Sequence, residues 1–461
     1  MDPPAHDSPK HILNVLIDDC VDEIFRRIFC LEDFLNMSEV CQRFQKSAKN
    51  CFRMQFKLVY LFKRYRQEAI CVPSTRAIAL LNTFGPSIQG LQFQTTSDEE
   101  HNDEIFESIV KFTSKTLKEL HIDCYTMCHT IDFEQMPFPA LEILHLGSVL
   151  PKNIEQIVSH LKGLSISHIE PSCFIREFPR LEMFRIVEDY FHDVNYITDD
   201  MFCEFVSLNP QLQRLAVIHC NKLTPLILQA IGDNSMNLVE LSVSGSGFRR
   251  TPSLLDTNLP YLGSLNQLKY LEIQLNTTTS FKIMINTFAE NEVPIEKIKV
   301  DLLIIEGQPI DPCSDLKTIK TLKHVDIDEM KNRNLFNENE VLANLIRTQT
   351  ALETIEMMCY DESPMPILNI GNMLKHGGNL RKFELYTGIL DFNLESYESV
   401  LCLVRNRTRV EIILGNQKSK CIPEGVVTNN EWLEVRYVTG SDKRGACIHV
   451  DDNYFDTVKS I

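Results

Sequence analysis

The chain has 461 residues, 44% hydrophobic and 24% charged, which suits a globular protein of one large or several small domains. Its 63 acids against 46 lysines and arginines give a formal net charge of -17, which speaks against a nucleic-acid or anionic-membrane surface and favours a basic or neutral partner. Fifteen cysteines are too few for a disulfide scaffold, and several, such as Cys41, Cys51 and Cys203, sit at apolar periodic positions, so reduced thiols in the cytoplasm or nucleus are expected.

Residues 1–15 are expected to be a disordered leader. They begin MDPPAHDSPK, without the basic end and apolar run of a signal peptide, and no window of the chain approaches the uninterrupted apolar length of a membrane span. The stretch Leu16 to Phe52 then carries three helix-length apolar sets. Val21, Ile24, Phe25 and Ile28 keep the i, i+3, i+4, i+7 spacing of one helical face, behind Asp18 and Asp19 as N-terminal acids. Leu31, Phe34, Leu35 and Met37 form a second set, and Cys41, Phe44, Ala48, Cys51 and Phe52 a third. Three helices this short cannot bury a core unaided, so the unit should pack on its own chain on one side and on a partner on the other.

Leu16, Asp18, Asp19, Ile24, Ile28, Leu31, Asp33, Leu35, Val40, Cys41, Arg43 and Phe44 match, position by position, the pattern of the F-box, which this stretch resembles. It departs at Ile17, where proline is usual, and at Phe44, where tryptophan is common. The resemblance implies docking on a Skp-family adaptor, and through it on cullin and RING subunits. The residues it implies for that contact are Leu16, Ile17, Val21, Ile24, Ile28, Leu31, Phe34, Leu35 and Val40. Some of them must face the interior, so about half are expected at the interface.

Residues 56–70, FKLVYLFKRYRQEAI, fit either a first strand or a linking helix. From there a repeat takes over, apolar-x-x-apolar-x-apolar, with units starting at Ile88, Leu117, Leu141, Leu161, Leu181, Leu212, Leu238, Leu268, Ile295, Leu322, Leu352 and Leu380, and a weaker one at Val410 and Ile412. Single matches are cheap in so apolar a chain. The signal is the spacing of the twelve full units, 20 to 31 residues, almost wholly inside the roughly 20 to 29 residue period of leucine-rich repeats. Each unit is expected to carry a helix ahead of its strand: Thr198 as N-cap and Asn209-Pro210 as a stop bracket ITDDMFCEFVSLNP, and PSTRAIALLNTFGP, NDEIFESIVKF, NENEVLANLIRTQT and NLESYESVLCLVRN repeat that arrangement. Cys220 followed by Leu223-Thr224 looks like the cysteine-containing class of these repeats, which often accompanies an F-box; other units have Tyr125 or Tyr360 at that register.

The expected fold is therefore α/β. A three-helix F-box spans residues 16–55, and a curved leucine-rich-repeat solenoid of about 12 to 13 strand-helix units spans 56–430. Residues 431–461, with the single tryptophan Trp432, are expected to be a C-terminal cap or tail. Side chains between and beside the repeat leucines should point to the concave face, which offers Arg185, Arg214, Tyr270, Glu272, Lys297, Lys299, His324, Asp326, Glu356, Glu384 and Tyr386 as candidate substrate contacts.

Catalytic signatures are absent from the sequence pattern. His121, Cys124, Cys128 and His129 are zinc-type ligands in a spacing that matches no strong template, and no metal or cofactor is expected. The acids of SDEEHNDE, residues 97–104, read as a solvated loop ahead of a helix, with docking of a basic segment as the other reading. The resemblance implies a non-catalytic substrate receptor of a cullin-based SCF ubiquitin ligase that holds an unidentified protein target for ubiquitin transfer by other subunits. A non-degradative interaction scaffold with a divergent F-box is the alternative.

Overall fold

The computed structural model describes residues 16–61, 71–72, 74–94, 99–123, 130–135, 137–147, 149–167, 174–187, 197–245, 248, 250–302, 315–329, 345–359, 365–366, 379–387, 390–391, 410–416 and 433–439. They fall into two compact units, Met1–Tyr196 and Ile197–Ile461.

The first unit opens with three helices, α1 (Asp18–Arg26), α2 (Leu31–Ser38) and α3 (Gln42–Gln55). Their interior is aromatic. Phe34, fully buried, lies 5.0 Å from Phe25, 5.8 Å from Phe52 and 5.1 Å from Phe56, ring centre to ring centre, all in edge-on or near edge-on geometry. The cluster closes only with Phe84, which stacks on Phe52 at 4.4 Å and 7° and stands 5.8 Å from Phe34. Phe84 ends the Ser74–Phe84 helix of the first repeat, so the three helices borrow part of their core from the chain that follows. An ion pair from Arg76 to Glu39 at 2.9 Å ties the same two parts together.

Behind them stands a parallel sheet. Val59–Leu61 is a strand, which settles part of the ambiguous 56–70 stretch; it pairs with Cys71–Val72 on one side and with Gly90–Gln94 on the other. Glu119–Asp123, Ile143–Gly147, Gly163–Ile166 and Met183–Val187 then follow in chain order. The register sets like on like: Leu91, Leu120, Leu144, Leu164 and Phe184 form one inward row, Phe93, Ile122, Leu146, Ile166 and Ile186 the next. The first apolar residue of each full repeat sits two positions before its strand and is 2% exposed or less in all twelve units from Ile88 to Leu380. Each such side chain stabilises the fold by about 1.5 to 3 kcal/mol relative to exposure, and only the neighbouring repeat supplies its cover.

A helix in every repeat does not hold. The Glu99–Thr113 helix packs on the Ser74–Phe84 helix and begins within the acidic 97–104 stretch, so most of that stretch is helix and not a loop ahead of one. Between residues 123 and 187 the described residues form no α-helix; Thr130–Asp132 pairs with Leu150–Lys152, and Ile154–Gln156 is a single 3-10 turn. The repeats there step by only 20 to 24 residues, too few for a strand, two connections and a helix of typical length.

In the second unit the strands Arg214–Ile218, Glu240–Val243, Tyr270–Leu275, Lys297–Leu302, His324–Glu329, Thr354–Cys359, Lys382–Thr387, Val410–Asn416 and Leu433–Thr439 each pair parallel with the next. The last lies in the stretch expected to be a cap or tail and extends the sheet by a further strand. Helices Asp199–Leu208, Ile227–Asn234, Pro252–Asn258 and Thr278–Glu290 occupy the connections. Thr198 caps the first, accepting from the Met201 amide at 3.4 Å. At the other ends Asn209, Asn234, Asn258 and Asn291 each donate a side-chain amide, at 2.8 Å, to the carbonyl four residues back. These asparagines add a side-chain bond to a carbonyl of the last helical turn, where backbone partners run out. Most of the helices expected at 337–350 and 393–406 lies outside the described residues.

One position ahead of the strands, charges alternate along the sheet. In the first unit Glu142 lies between Lys118, at 3.7 Å, and Lys162, at 2.8 Å. In the second, Glu296 lies between Lys269, at 3.6 Å, and Lys323, at 2.7 Å, and Glu353 reaches Arg381 at 3.9 Å. The Lys323 hydrogen bond holds the Glu296 carboxyl below its ordinary range, as Lys162 does for Glu142.

Candidate interaction surfaces

The nine residues that the F-box resemblance implies for adaptor contact divide by burial. Val21, Leu31, Phe34 and Leu35 have no exposed surface, so they build the interior and cannot meet a partner while the unit is folded. Ile17, 64% exposed, Ile24, 38%, and Val40, 59%, face outward, with Leu16 and Ile28 partly covered. Ile17 stands at φ -74° and ψ 158°, a backbone conformation that proline also takes, so the departure from the family pattern leaves the entry to α1 in the same shape. Phe44 fills the position common to tryptophan from inside, edge-on to Phe25 at 5.7 Å. Arg43 fixes the start of α3 to the start of α1, bonding Asp18 at 2.7 Å and the Leu16 carbonyl. Farther along, the Cys51 thiol reaches the Asp22 carbonyl at 3.5 Å and the Gln55 amide bonds the Ile28 carbonyl. α1 and α3 thus run side by side in one direction.

The strand face opposite the core is the second surface. In the second unit Arg214, Glu240, Tyr270, Lys297, His324, Thr354, Lys382 and Glu411 form one outward row, and Ala216, Ser242, Glu272, Lys299, Asp326, Glu356 and Glu384 the next. Sequence reasoning identified this face, but not its internal bonding. Glu272 accepts from Ser242 and Tyr270, both at 3.1 Å, and pairs with Lys299 at 2.8 Å. Burial pushes its pKa upward, yet Lys299 and the two hydroxyls outweigh that and hold it below the ordinary range. The Lys297 ammonium lies 4.9 Å from the centre of the Tyr270 ring, a cation–π contact at an exposed residue. His324 meets Thr354 at 2.7 Å, and burial lowers its pKa.

Arg185, Arg214 and Glu384 do not offer free surface: they are 2%, 8% and 6% exposed. Arg214 is drawn onto Glu240 at 3.6 Å, and Glu384 onto Lys382 at 2.6 Å. Burial, and a hydrogen bond to the carboxyl of Glu356 that requires a proton, raise the Glu384 pKa despite Lys382. Asp326 and Glu356, in the same row as Glu384, are half-buried; the side chain of Tyr386 lies outside the described residues.

The first unit's outward face holds a constellation that the sequence did not reveal. Neighbouring strands bring Ser165 Oγ to 2.8 Å from His145 Nδ1, and His145 Nε2 to 3.3 Å from Asp123 Oδ1. His121, named above among the zinc-type ligands, is 8% exposed: its ring stacks on His145 at 5.4 Å, and its Nε2 is 3.0 Å from Glu119. Burial opposes ionisation of Asp123, but His145, His121 and Gln92 overcome it and lower its pKa. A serine–histidine–carboxylate chain resembles nucleophilic machinery. Here the serine is 1% exposed, which shuts it off from a substrate and makes the chain a structural tie across three strands.

The zinc candidates Cys124, Cys128 and His129 lie outside the described residues. Among the described residues no cluster of three or more histidine, cysteine, aspartate or glutamate side chains is arranged to hold a metal ion, and no helix is long and apolar enough to cross a membrane.

No family model and no curated protein matches the chain. Among solved structures it is similar to the yeast Rad7 and Elc1 complex, at 12% identity over 81% of this chain and 89% of that one, with a TM-score of 0.42. A second likeness, to human 5T4 (Wnt-activated inhibitory factor 1, trophoblast glycoprotein), covers 45% of this chain and 70% of that one at 12% identity and a TM-score of 0.27. At these scores neither likeness carries a functional argument, and the functional reading rests on residues of this chain.

Proposed function

We propose that this protein is a non-catalytic substrate receptor of an SCF-type cullin-RING ubiquitin ligase, in the cytoplasm or nucleus. Its F-box docks on a Skp-family adaptor, and its leucine-rich-repeat solenoid holds the target protein. The observation that supports this reading most is the split within the F-box stretch. Apolar residues that the core does not need, Ile17, Ile24 and Val40, stand exposed on a unit whose interior is already filled by phenylalanines. Exposed isoleucine and valine in this number fit an interface waiting for a partner. The target's place is the outward strand face, where Tyr270, Lys297 and the Glu272 network offer an aromatic anchor with organised charge around it.

The test uses exposed positions. Deleting residues 1–55 would strip Phe84 of its stacking partner, and charging Leu35 would disrupt the interior, so either change confounds binding with folding. Ile17→Asp with Val40→Asp should leave the helical content unchanged and abolish co-purification with a Skp-family adaptor. A folded double variant that keeps wild-type adaptor binding would overturn the proposal, as would a folded wild-type chain that binds no such adaptor.

A further inference from the structure

The helical unit has a second exposed apolar set, at the end away from Ile17 and Val40. Because α1 and α3 run side by side, with Arg43 on Asp18 at one end and Gln55 on the Ile28 carbonyl at the other, the nine residues of α1 separate the two ends by about 14 Å. Phe29, 71% exposed, and Met54, 66% exposed, both belong to the far end and are the most exposed large hydrophobic residues described. Neither is among the residues that the F-box resemblance implies for adaptor contact.

Four exposed cations flank them: Arg26 and Arg27 at the close of α1, Arg53 in the last turn of α3, and Lys57 just beyond it. The acids nearby are Glu23, engaged with Arg26 at 3.5 Å and Arg27 at 3.1 Å, and, in the first turn of α2, the half-buried Glu32 and the exposed Asp33, so the cations outnumber the acids by four to three. The helix dipole accounts for arginine in a last turn. It gives no reason for Phe29 and Met54 to face water, where each forgoes about 1.5 to 3 kcal/mol of burial. Aromatic, methionine and arginine side chains are together the composition enriched in protein interfaces. In a chain of net charge -17 this basic spot selects for a partner of opposite sign.

We propose that the Phe29–Met54 end is a second docking surface, taking an acidic amphipathic segment of a protein partner. Carboxylates of that segment pair with the four cations while its apolar side covers Phe29 and Met54. A lipid surface fits less well, because two apolar side chains anchor weakly and the chain's net charge is repelled by anionic headgroups.

The test uses the full chain and a fluorescein-labelled peptide with glutamates and leucines at helical spacing, followed by anisotropy. A peptide with lysine for each glutamate, and vesicles of phosphatidylserine and phosphatidylcholine, are the other arms. The acidic peptide should bind saturably, and Phe29→Ser with Met54→Ser, or Arg26→Glu with Arg53→Glu, should weaken it about tenfold, as loss of an interface anchor does. Ile17→Asp with Val40→Asp should leave it unchanged, so this surface and the adaptor reading can fail separately. Absence of binding by the wild type, binding indifferent to both pairs of changes, or binding to vesicles in place of the peptide overturns the proposal. The substituted residues are exposed, and circular dichroism checks that each variant is folded.

Discussion

Replacing Phe84 by alanine tests whether the three N-terminal helices depend on the repeat that follows them. The ring has no exposed surface, lies flat on Phe52 at 4.4 Å and meets Phe34 at 5.8 Å, so its removal opens a cavity between two parts of one unit. Truncating a buried phenylalanine costs about 3 to 5 kcal/mol, and two aromatic neighbours with nothing to replace the ring place this site near 4. At about 1.4 kcal/mol per tenfold, the opening equilibrium of α1 to α3 should shift by nearly three orders of magnitude. Hydrogen exchange read on α1 to α3 is the assay, because it reports the opening of these three helices directly. Phe84→Leu, which keeps most of the volume, should cost about 1 to 1.5 kcal/mol. Protection in α1 to α3 within about threefold of wild type after Phe84→Ala would show that the helices are self-sufficient, and would refute the borrowed core.

Ile17→Pro should raise the melting temperature, worth about 0.4 to 1 kcal/mol, because the native φ already suits proline and only the unfolded chain loses freedom; a fall in melting temperature would contradict the described entry to α1. Asn209→Ala should cost about 1 to 3 kcal/mol in urea unfolding, since the fully buried amide bonds the Phe205 carbonyl and alanine leaves that acceptor without it. Glu296→Lys should destabilise by about 1 kcal/mol at low ionic strength and by much less in 1 M salt, as Lys269 and Lys323 are partly solvated and screened. Glu384→Gln should stabilise at neutral pH. The folded-state pKa of Glu384 is raised, so its contribution is intact below the unfolded pKa and lost as pH rises through the folded one; thermal melts of variant and wild type should therefore converge below the ordinary glutamate value of 4.5 and diverge as the pH rises above it.

Much of the sheet was legible because each strand repeats one inward pattern, and burial imposes that pattern wherever a neighbouring repeat must cover it. The helices were legible only where the repeats are long. Between Leu141 and Leu181 the step of 20 residues already carried the information that a helix does not fit, and reading the spacing as room for a full unit would have corrected the expectation. In the stretch Leu16 to Phe52 periodicity found the apolar residues but could not sort them. Ile24 and Phe25 are adjacent in sequence, one 38% exposed and one fully buried, and that difference depends on where α3 lies. Strand alternation likewise told which side Arg185 and Arg214 leave from, not that neighbouring rows would cover them. The alternating row of charges was readable, since each stands one position after the first apolar residue of its repeat.

That alternating row works as a parity rule on how such a chain can lengthen. Lys269, Glu296, Lys323, Glu353 and Arg381 follow one another with opposite signs at nearly every step, as Lys118, Glu142 and Lys162 do in the first unit. Insert or delete one repeat inside either series, and two like charges become neighbours at the junction; insert or delete two, and the order is restored. The array should therefore tolerate growth and shrinkage in pairs of repeats better than in single ones.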